Sequence, residues 1–427
     1  MHLLVLGGYG LIGRHIVAAL LEGGHRVTGA GRRPQLGRRL LPEADWIAVD
    51  LDRWTRAADW SPALAGIDGV VNAAGALQSG GGTSLARMQR DAVVALVAAC
   101  ERSGVRRFVQ ISAPGAAPEA ETEFLSSKGQ ADAALRGSGL DWTVLKPGLV
   151  VAAEAYGGTS LLRALAACPL VQPLALPEAR MQTLGAGELA AAVRLCLERP
   201  ELARRDFDLV EEEPHSLRDI VLAFRGWLGF PPPRLVLAPP RWLTAATARL
   251  ADLAGLLGWP APLRSTALRV LGGDVLGDPE PWRRATGRRF SPLPETLRRL
   301  PSTRQERVYA RAQLVFPPAL AVLAAFWILS GALGLLRLEA TAEALPAWLG
   351  RPAVALGALL DLAVGLALLF RRSMRPACLA SLALSLAYLL CGSLLLPQLW
   401  LDPLGPLLKV FPTMALALLL AALAERR

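Results

Sequence analysis

Leu3-Leu4-Val5-Leu6-Gly7-Gly8-Tyr9-Gly10-Leu11-Ile12-Gly13-Arg14 sets an apolar run before three glycines spaced by three, and Ile16, Val17, Leu20 and Leu21 follow at helical spacing. The pattern predicts a buried first strand, a tight turn and a helix. Gly7 lets the chain turn where a side chain would clash, Gly10 lets the backbone approach a pyrophosphate, and Gly13 lets the helix pack close to the strand. The helix N-terminus then offers unpaired N–H groups and a positive dipole end to phosphates. A glycine pattern of this kind carries weight only between a strand and a helix, which is its setting here. Tyr9, Leu11, Ile12 and Arg14 belong to the same turn and are read with it as cofactor-contacting.

Downstream, residues 1–150 alternate strand and helix. His25 to Gly31 reads as the second strand. An NAD-specific fold places Asp or Glu at the end of this strand, to hold the ribose hydroxyls; here Arg32-Arg33 stands there. A guanidinium grips a 2′-phosphate that a carboxylate would repel, so the pair, with Arg14, points to NADP(H). The same two arginines also open the basic loop 32–39, which is the plainer reading of them. Trp46 to Leu51 reads as a third strand whose Asp50 could face the adenine, with Leu51 beside it among the cofactor contacts. Gly69 to Gly75 is a fourth, with the small residues Ala73, Ala74 and Gly75 where backbone passes a cofactor. Arg107 to Ser112 and Leu140 to Gly148 are the fifth and sixth, and Asp91 to Ser103 and Ser126 to Gly137 are helical. The alternation implies an α/β fold, a doubly wound parallel sheet.

The set Gly7/Gly10/Gly13, Asp50-Leu51, Asn72-Ala73-Ala74-Gly75, Ser112, Lys128 and Lys146-Pro147-Gly148 resembles an atypical short-chain dehydrogenase/reductase, in the NmrA-like and complex-I-associated NAD(P)H-binding branch. The stretch Tyr156 to Leu165 and the pair Met181-Gln182 extend the resemblance to about residue 230. It implies Pro147 as a further cofactor contact, and Ser112 and Lys128 as catalytic residues. Catalytic members use Ser, Tyr and Lys, the last two spaced Y-x-x-x-K: the tyrosine passes a proton to or from the substrate oxygen, and the lysine lowers its pKa and holds the nicotinamide ribose. Here the stretch is Phe124-Leu125-Ser126-Ser127-Lys128, so the lysine is present and the phenol is not. Complex-I-associated relatives bind the dinucleotide without known turnover, and that reading stands beside the enzymatic one. For Lys128 a solvated helix lysine, and for Ser112 a hydroxyl capping the next turn, are the structural alternatives. Glu211-Glu212-Glu213 reads as a solvated acidic turn, and Ser216-Leu217-Arg218-Asp219 as a capping box with Asp in place of Glu.

The chain has 427 residues, of which 53% are apolar and 19% charged, with a net charge of +10. The arginines form no aromatic-interleaved motif, and nucleic acid is not an expected partner. Five cysteines without a CxxC pair imply neither a metal site nor a disulfide framework, and a reducing cytoplasmic setting fits. No secretory leader is expected ahead of the first strand, Met1-His2 being too short for one. The expected domains are 1–230, a Rossmann domain with its cap; 231–303, a Pro/Arg-rich connector; and 304–427, a membrane domain. Within the connector, leucines at helical spacing between Trp242 and Trp259 read equally as a helix packed on the cap and as one lying on a membrane.

Four apolar segments, Gln313–Leu336, Pro352–Phe370, Pro376–Leu396 and Pro406–Ala424, approach the ~20 residues that cross a ~30 Å hydrocarbon core. They resemble the DoxX-like membrane domain, all-α with four spans. That likeness implies a quinone or other lipophilic acceptor, or a membrane redox complex, as partner beside the bilayer itself. Arg304, Arg307 and Arg311 precede the first span, Arg371, Arg372 and Arg375 separate the second from the third, and Arg426-Arg427 ends the chain. The positive-inside rule then places both termini and the Rossmann domain in the cytoplasm, on a membrane of the bacterial cytoplasmic type. Asp361 and Lys409 fall within spans: the first reads as a polar site for a proton or quinone headgroup, or as a neutral carboxyl bonded between helices, and the second as such a site or as a snorkelling lysine. Reporter fusions test this topology. Those at Leu345 and Asp402 are expected outside and those at Ser373 and Arg427 inside; a cytoplasmic signal at Leu345 overturns it.

Overall fold

The computed structural model describes residues 1–77, 84–259, 265–272, 274–343 and 350–424. They divide into two compact units, Met1–Asp252 with Ala261–Arg307, and Leu253–Pro260 with Val308–Arg427. Arg426-Arg427 and the loop position Leu345 lie outside the described residues.

In the first unit, strands β1 (His2–Leu6), β2 (Arg26–Gly31), β3 (Asp45–Ala48), β4 (Gly69–Asn72), β5 (Arg107–Ile111) and β6 (Asp141–Pro147) alternate with helices α1 (Leu11–Glu22), α2 (Pro34–Leu40), α3 (Ala57–Trp60), α4 (Ala92–Ser103) and α5 (Glu123–Arg136). The chain continues through β7 (Leu149–Val151), α6 (Gly158–Ala166), β8 (Val171–Pro173), β9 (Arg180–Met181), β10 (Thr183–Gly185), α7 (Ala186–Glu198), β11 (Arg205–Leu209), β12 (His215–Ser216), α8 (Leu217–Trp227) and β13 (Leu235–Leu237). Seven strands form one sheet, ordered β11-β6-β5-β4-β1-β2-β3, and every pairing in it is parallel. The run Leu3 to Leu6 is buried throughout, as a central parallel strand covered on both faces must be. One face packs Ile16, Val17 and Leu20 of α1 with Leu189 and Val193 of α7; the other packs Trp60, Leu96, Cys100 and Leu135 from α3, α4 and α5. The doubly wound sheet expected from the alternation is the one observed.

Several boundaries move. The third strand stops at Ala48, so Asp50 and Leu51 lie beyond it. The fourth stops at Asn72, whose side-chain oxygen accepts the Ala74 amide at 3.2 Å and turns the chain. The edge strand β11, Arg-Asp-Phe-Asp-Leu, is concealed in the sequence by its charges. The Ser216 hydroxyl caps α8 by accepting the Asp219 amide at 3.1 Å, as the capping pattern predicts. Glu211, by contrast, is not solvated. Its carboxylate accepts from the Thr183 amide and hydroxyl and the Leu293 amide, and it bonds His215 Nε2 at 3.0 Å.

Residues 241–299 form α9 (Arg241–Leu256), α10 (Ser265–Gly272), α11 (Glu280–Thr286) and α12 (Leu293–Arg299). Trp282 of α11 is buried against Phe207 and Phe290, inside the first unit's core. This part of the connector therefore folds with the sheet.

The second unit holds α13 (Arg304–Leu336, counted from Val308), α14 (Leu338–Glu343), α15 (Gly350–Leu369), α16 (Met374–Leu395) and α17 (Val410–Leu423). Three of these, α13, α15 and α16, are long and apolar enough to cross a membrane. The fourth expected span begins four residues late: α17 has 14 residues, after turns at 402–409. Lys409 is therefore an exposed residue at the helix start rather than a group within a span. Asp361 is buried, and its carboxylate accepts from Ser330 Oγ at 2.6 Å and Tyr388 Oη at 2.7 Å, tying three helices together.

Candidate dinucleotide site

In a parallel sheet the order reverses where chain connections leave in opposite directions, and the crevice at that point is where ligands bind. Here the reversal falls between β1 and β4, and Gly7 and Ala73-Ala74 follow those two strands directly. Gly7 has φ +69°, and a Cβ there would lie 2.9 Å from the Ala74 Cα. A Cβ on Gly13 would overlap the Gly7 carbonyl, so α1 presses on the turn. Gly10 is the N-cap and supplies no side-chain cap, and the first turn of α1 holds no acidic residue. Leu11, Ile12 and Gly13 thus begin a helix whose N–H end is available to an anion.

The other expected cofactor residues follow the same carboxyl edge of the sheet. After β2, the Tyr9 ring lies across Gly31 and its hydroxyl accepts the Arg33 amide at 3.1 Å, beside the exposed Arg32. After β3, Asp50 Oδ1 accepts the Asp52 amide and Leu51 packs on the core. After β4 comes Gly75, where a Cβ would meet Lys128 Nζ at 3.7 Å. Pro147 ends β6. Arg14 pairs with Glu154 at 2.9 Å, and His15 bonds the same carboxylate oxygen at 3.0 Å. The His15 hydrogen bond, helped by Arg14, holds Glu154 down at about 2.

Lys128 is not a solvated helix lysine. It is 6% exposed and donates to the Ile111 carbonyl at 2.8 Å. One helical turn on, Asp132 is fully buried and accepts the Ser112 hydroxyl, while its Oδ1 has no hydrogen-bond partner among the described residues. Burial brings the Lys128 ammonium down to about 8, with the Asp132 charge opposing that shift. Burial also lifts the Asp132 carboxyl above the ordinary range, against the Ser112 hydrogen bond and the lysine. The Phe124 ring centroid is 5.8 Å from Lys128 Nζ, so the aromatic ring of the Y-x-x-x-K arrangement is kept without its oxygen. Gln89 completes the cluster: it donates to the Ala76 carbonyl at 2.5 Å and accepts from Ser127 Oγ at 3.2 Å. Asp132, Gln89 and Glu154 were not singled out in the sequence. Only Asp132 had a legible signal, its place four residues after Lys128 on one helix face.

Residues 7–163 match the family model for NAD(P)H-binding domains, and residues 324–418 match the DoxX-like family. Over 113 residues the chain is 35% identical to the UPF0659 protein YMR090W of Saccharomyces cerevisiae, covering 24% of this chain and 47% of that protein. Over 147 residues it is 27% identical to the photosystem II assembly factor Ycf39 of Synechocystis, covering 34% and 44%. The chain thus spans less than half the length of these curated relatives. Among solved structures, the Bordetella bronchiseptica enzyme WbmH in complex with NAD+ is similar with a TM-score of 0.53 at 17% identity, over 73% of this chain and 98% of that one. A nucleoside-diphosphate-sugar epimerase from Staphylococcus aureus is similar with a TM-score of 0.52 at 16% identity, over 70% and 99%. At these identities the two structures speak for the fold alone. The N-terminal domain is an NAD(P)H-binding Rossmann domain, and the DoxX-like region with its apolar helices makes this a membrane protein.

Two expectations follow for the site. If Arg32 holds a 2′-phosphate, Arg32→Ala should weaken NADPH by about 1.5–3 kcal/mol, the worth of a hydrogen bond to a charged group, and NADH by much less; equal losses in calorimetry would remove Arg32 from that role. Asp132→Asn should lower the Lys128 pKa further below about 8, because the carboxylate opposes the effect of burial. The pH dependence of Lys128 acylation, read by mass spectrometry, checks this, and an upward shift contradicts it.

Proposed function

We propose that this chain, an NAD(P)H-binding Rossmann domain joined to a DoxX-like membrane domain, is a membrane-anchored NADP(H)-dependent reductase acting on a lipophilic acceptor such as a quinone. The observation that carries the reading is the pairing of a retained, buried Lys128 beside Gly75 with Phe124 in place of the phenol. The dinucleotide, when bound, would supply hydride. In this reading the Gly7–Gly13 turn takes the pyrophosphate, Arg32 and Arg33 take the 2′-phosphate, and Lys128 holds the nicotinamide ribose. Phe124 can neither give nor take a proton, so an acceptor oxygen must draw its proton from water, which a quinone does and a simple ketone does poorly. The arginine distribution supports a cytoplasmic Rossmann domain.

A second reading, a nucleotide-holding assembly factor for a membrane redox complex, is supported by the likeness to the photosystem II assembly factor. The full chain, in lipid with NADPH and a short-chain quinone, separates the two. Loss of absorbance near ~340 nm, the reduced nicotinamide band, is expected; tight binding without oxidation favours the assembly role. Phe124→Tyr should leave the quinone rate little changed and add ketone reduction, a positioned acid being worth about 10²–10⁴ in rate. Ready ketone reduction by the unaltered chain overturns the assignment to Phe124.

A further inference from the structure

Helix α9 presents its residues the wrong way round for a soluble fold. At about 100° per residue, Trp242, Leu250, Leu253 and Leu256 fall on one side, and Thr244, Ala248, Ala251 and Gly255 on the other. The large apolar side chains are outside: Trp242 is 72%, Leu250 66% and Leu256 80% exposed, whereas Ala248 is 4% exposed. A helix packed through its apolar stripe would show the reverse. The helix leads into Leu253–Pro260, which belongs to the membrane unit. There the Trp259 indole donates to the Leu369 carbonyl at 2.7 Å, and the Leu257 carbonyl accepts the Arg371 amide at 3.2 Å. The C-terminal end of α9 is therefore fixed at the end of span α15, where the exposed Arg371 and Arg372 stand. Arg241 and Arg249 lie along the helix itself.

We propose that α9 is a membrane-surface helix, its Trp242/Leu250/Leu253/Leu256 face set into an anionic lipid monolayer. Continuity with the end of a span puts the C-terminal end of the helix near the headgroup level. The tryptophan suits that depth, and the arginines meet lipid phosphates, with Arg249 extending its guanidinium out of the apolar face. The helix is about 24 Å long, enough for four turns of apolar side chains to enter the monolayer.

The test uses the full chain in nanodiscs of phosphatidylcholine and phosphatidylglycerol. Spin labels are placed by Leu250→Cys or Thr247→Cys, in a background where the exposed Cys391 is replaced by serine. A label at Leu250 is expected about 5–10 Å below the headgroup level, relaxed by oxygen and shielded from a water-soluble nickel chelate. A label at Thr247 should show the opposite preference. Equal access of the chelate to both labels would overturn the proposal. So would dipolar broadening between labels at Leu250, which would assign the face to a second copy of the chain. If either cysteine variant fails to fold, quenching of Trp242 by lipids brominated near the headgroup, against a Trp242→Phe control, reads the same depth; no Trp242-dependent quenching would count against a lipid-facing helix.

Discussion

The first unit depends on one steric constraint: α1 can follow β1 only if neither Gly7 nor Gly13 carries a side chain. Any Cβ on Gly13 would occupy the space of the Gly7 carbonyl, and one on Gly7 would press on Ala74 at positive φ. Relief of either overlap would push α1 off the sheet and open the cluster that Ile16, Val17 and Leu20 share with α7. The same closeness leaves the amino end of α1 facing the crevice between β1 and β4. Packing and the proposed pyrophosphate contact therefore ask for the same residues at these positions.

Two buried carboxylates show how differently the fold treats polar groups. Glu211 has all its neighbours supplied: three donors from the chain and His215, with Leu293 bringing α12 onto β10. Such complete pairing is what a structural carboxylate requires. Asp132 keeps one oxygen without a partner among the described residues, beside an ammonium brought down by burial. Perturbed, incompletely satisfied pairs of this kind concentrate at functional sites, which agrees with their place next to Gly75.

The sequence makes the strand–turn–helix core legible because its signals are local: a run of apolar residues, glycines at fixed spacing, small residues after β4. What stays hidden depends on contacts distant in sequence. Glu211 reads as a solvated acid because Thr183 and Leu293, which bury it, are 28 and 82 residues away. Strand β11 goes unnoticed in the sequence because its charges mask it; they are satisfied by residues distant in the chain, as where Arg136 pairs with Asp206 at 2.6 Å. The ion pair of Arg14 with Glu154 is equally hidden, the two lying 140 positions apart. The length of α17 is obscured by Pro406, which marks the apolar run but not the later point, Val410, where a helix can start.

The membrane unit follows a different packing rule, and α9 obeys that rule too. Where lipid replaces water, large apolar side chains gain nothing by turning inward, and helices approach through small residues instead. Gly331 meets Leu362 and the Ala358 carbonyl so closely that a Cβ would clash, and Gly365 stands in the same relation to Ile328. Leu329, Leu366 and Leu394 point outward, while Asp361, Ser381 and Ser385 are buried. In α9 the small residues Ala248 and Gly255 are likewise inside and the leucines outside, although most of this helix belongs to the first unit. A helix with that arrangement is stable in water only at the cost of exposed leucine and tryptophan, and in a lipid interface at none. The pattern that identifies spans α13, α15 and α16 as lipid-facing therefore reaches back through α9 into the chain before them.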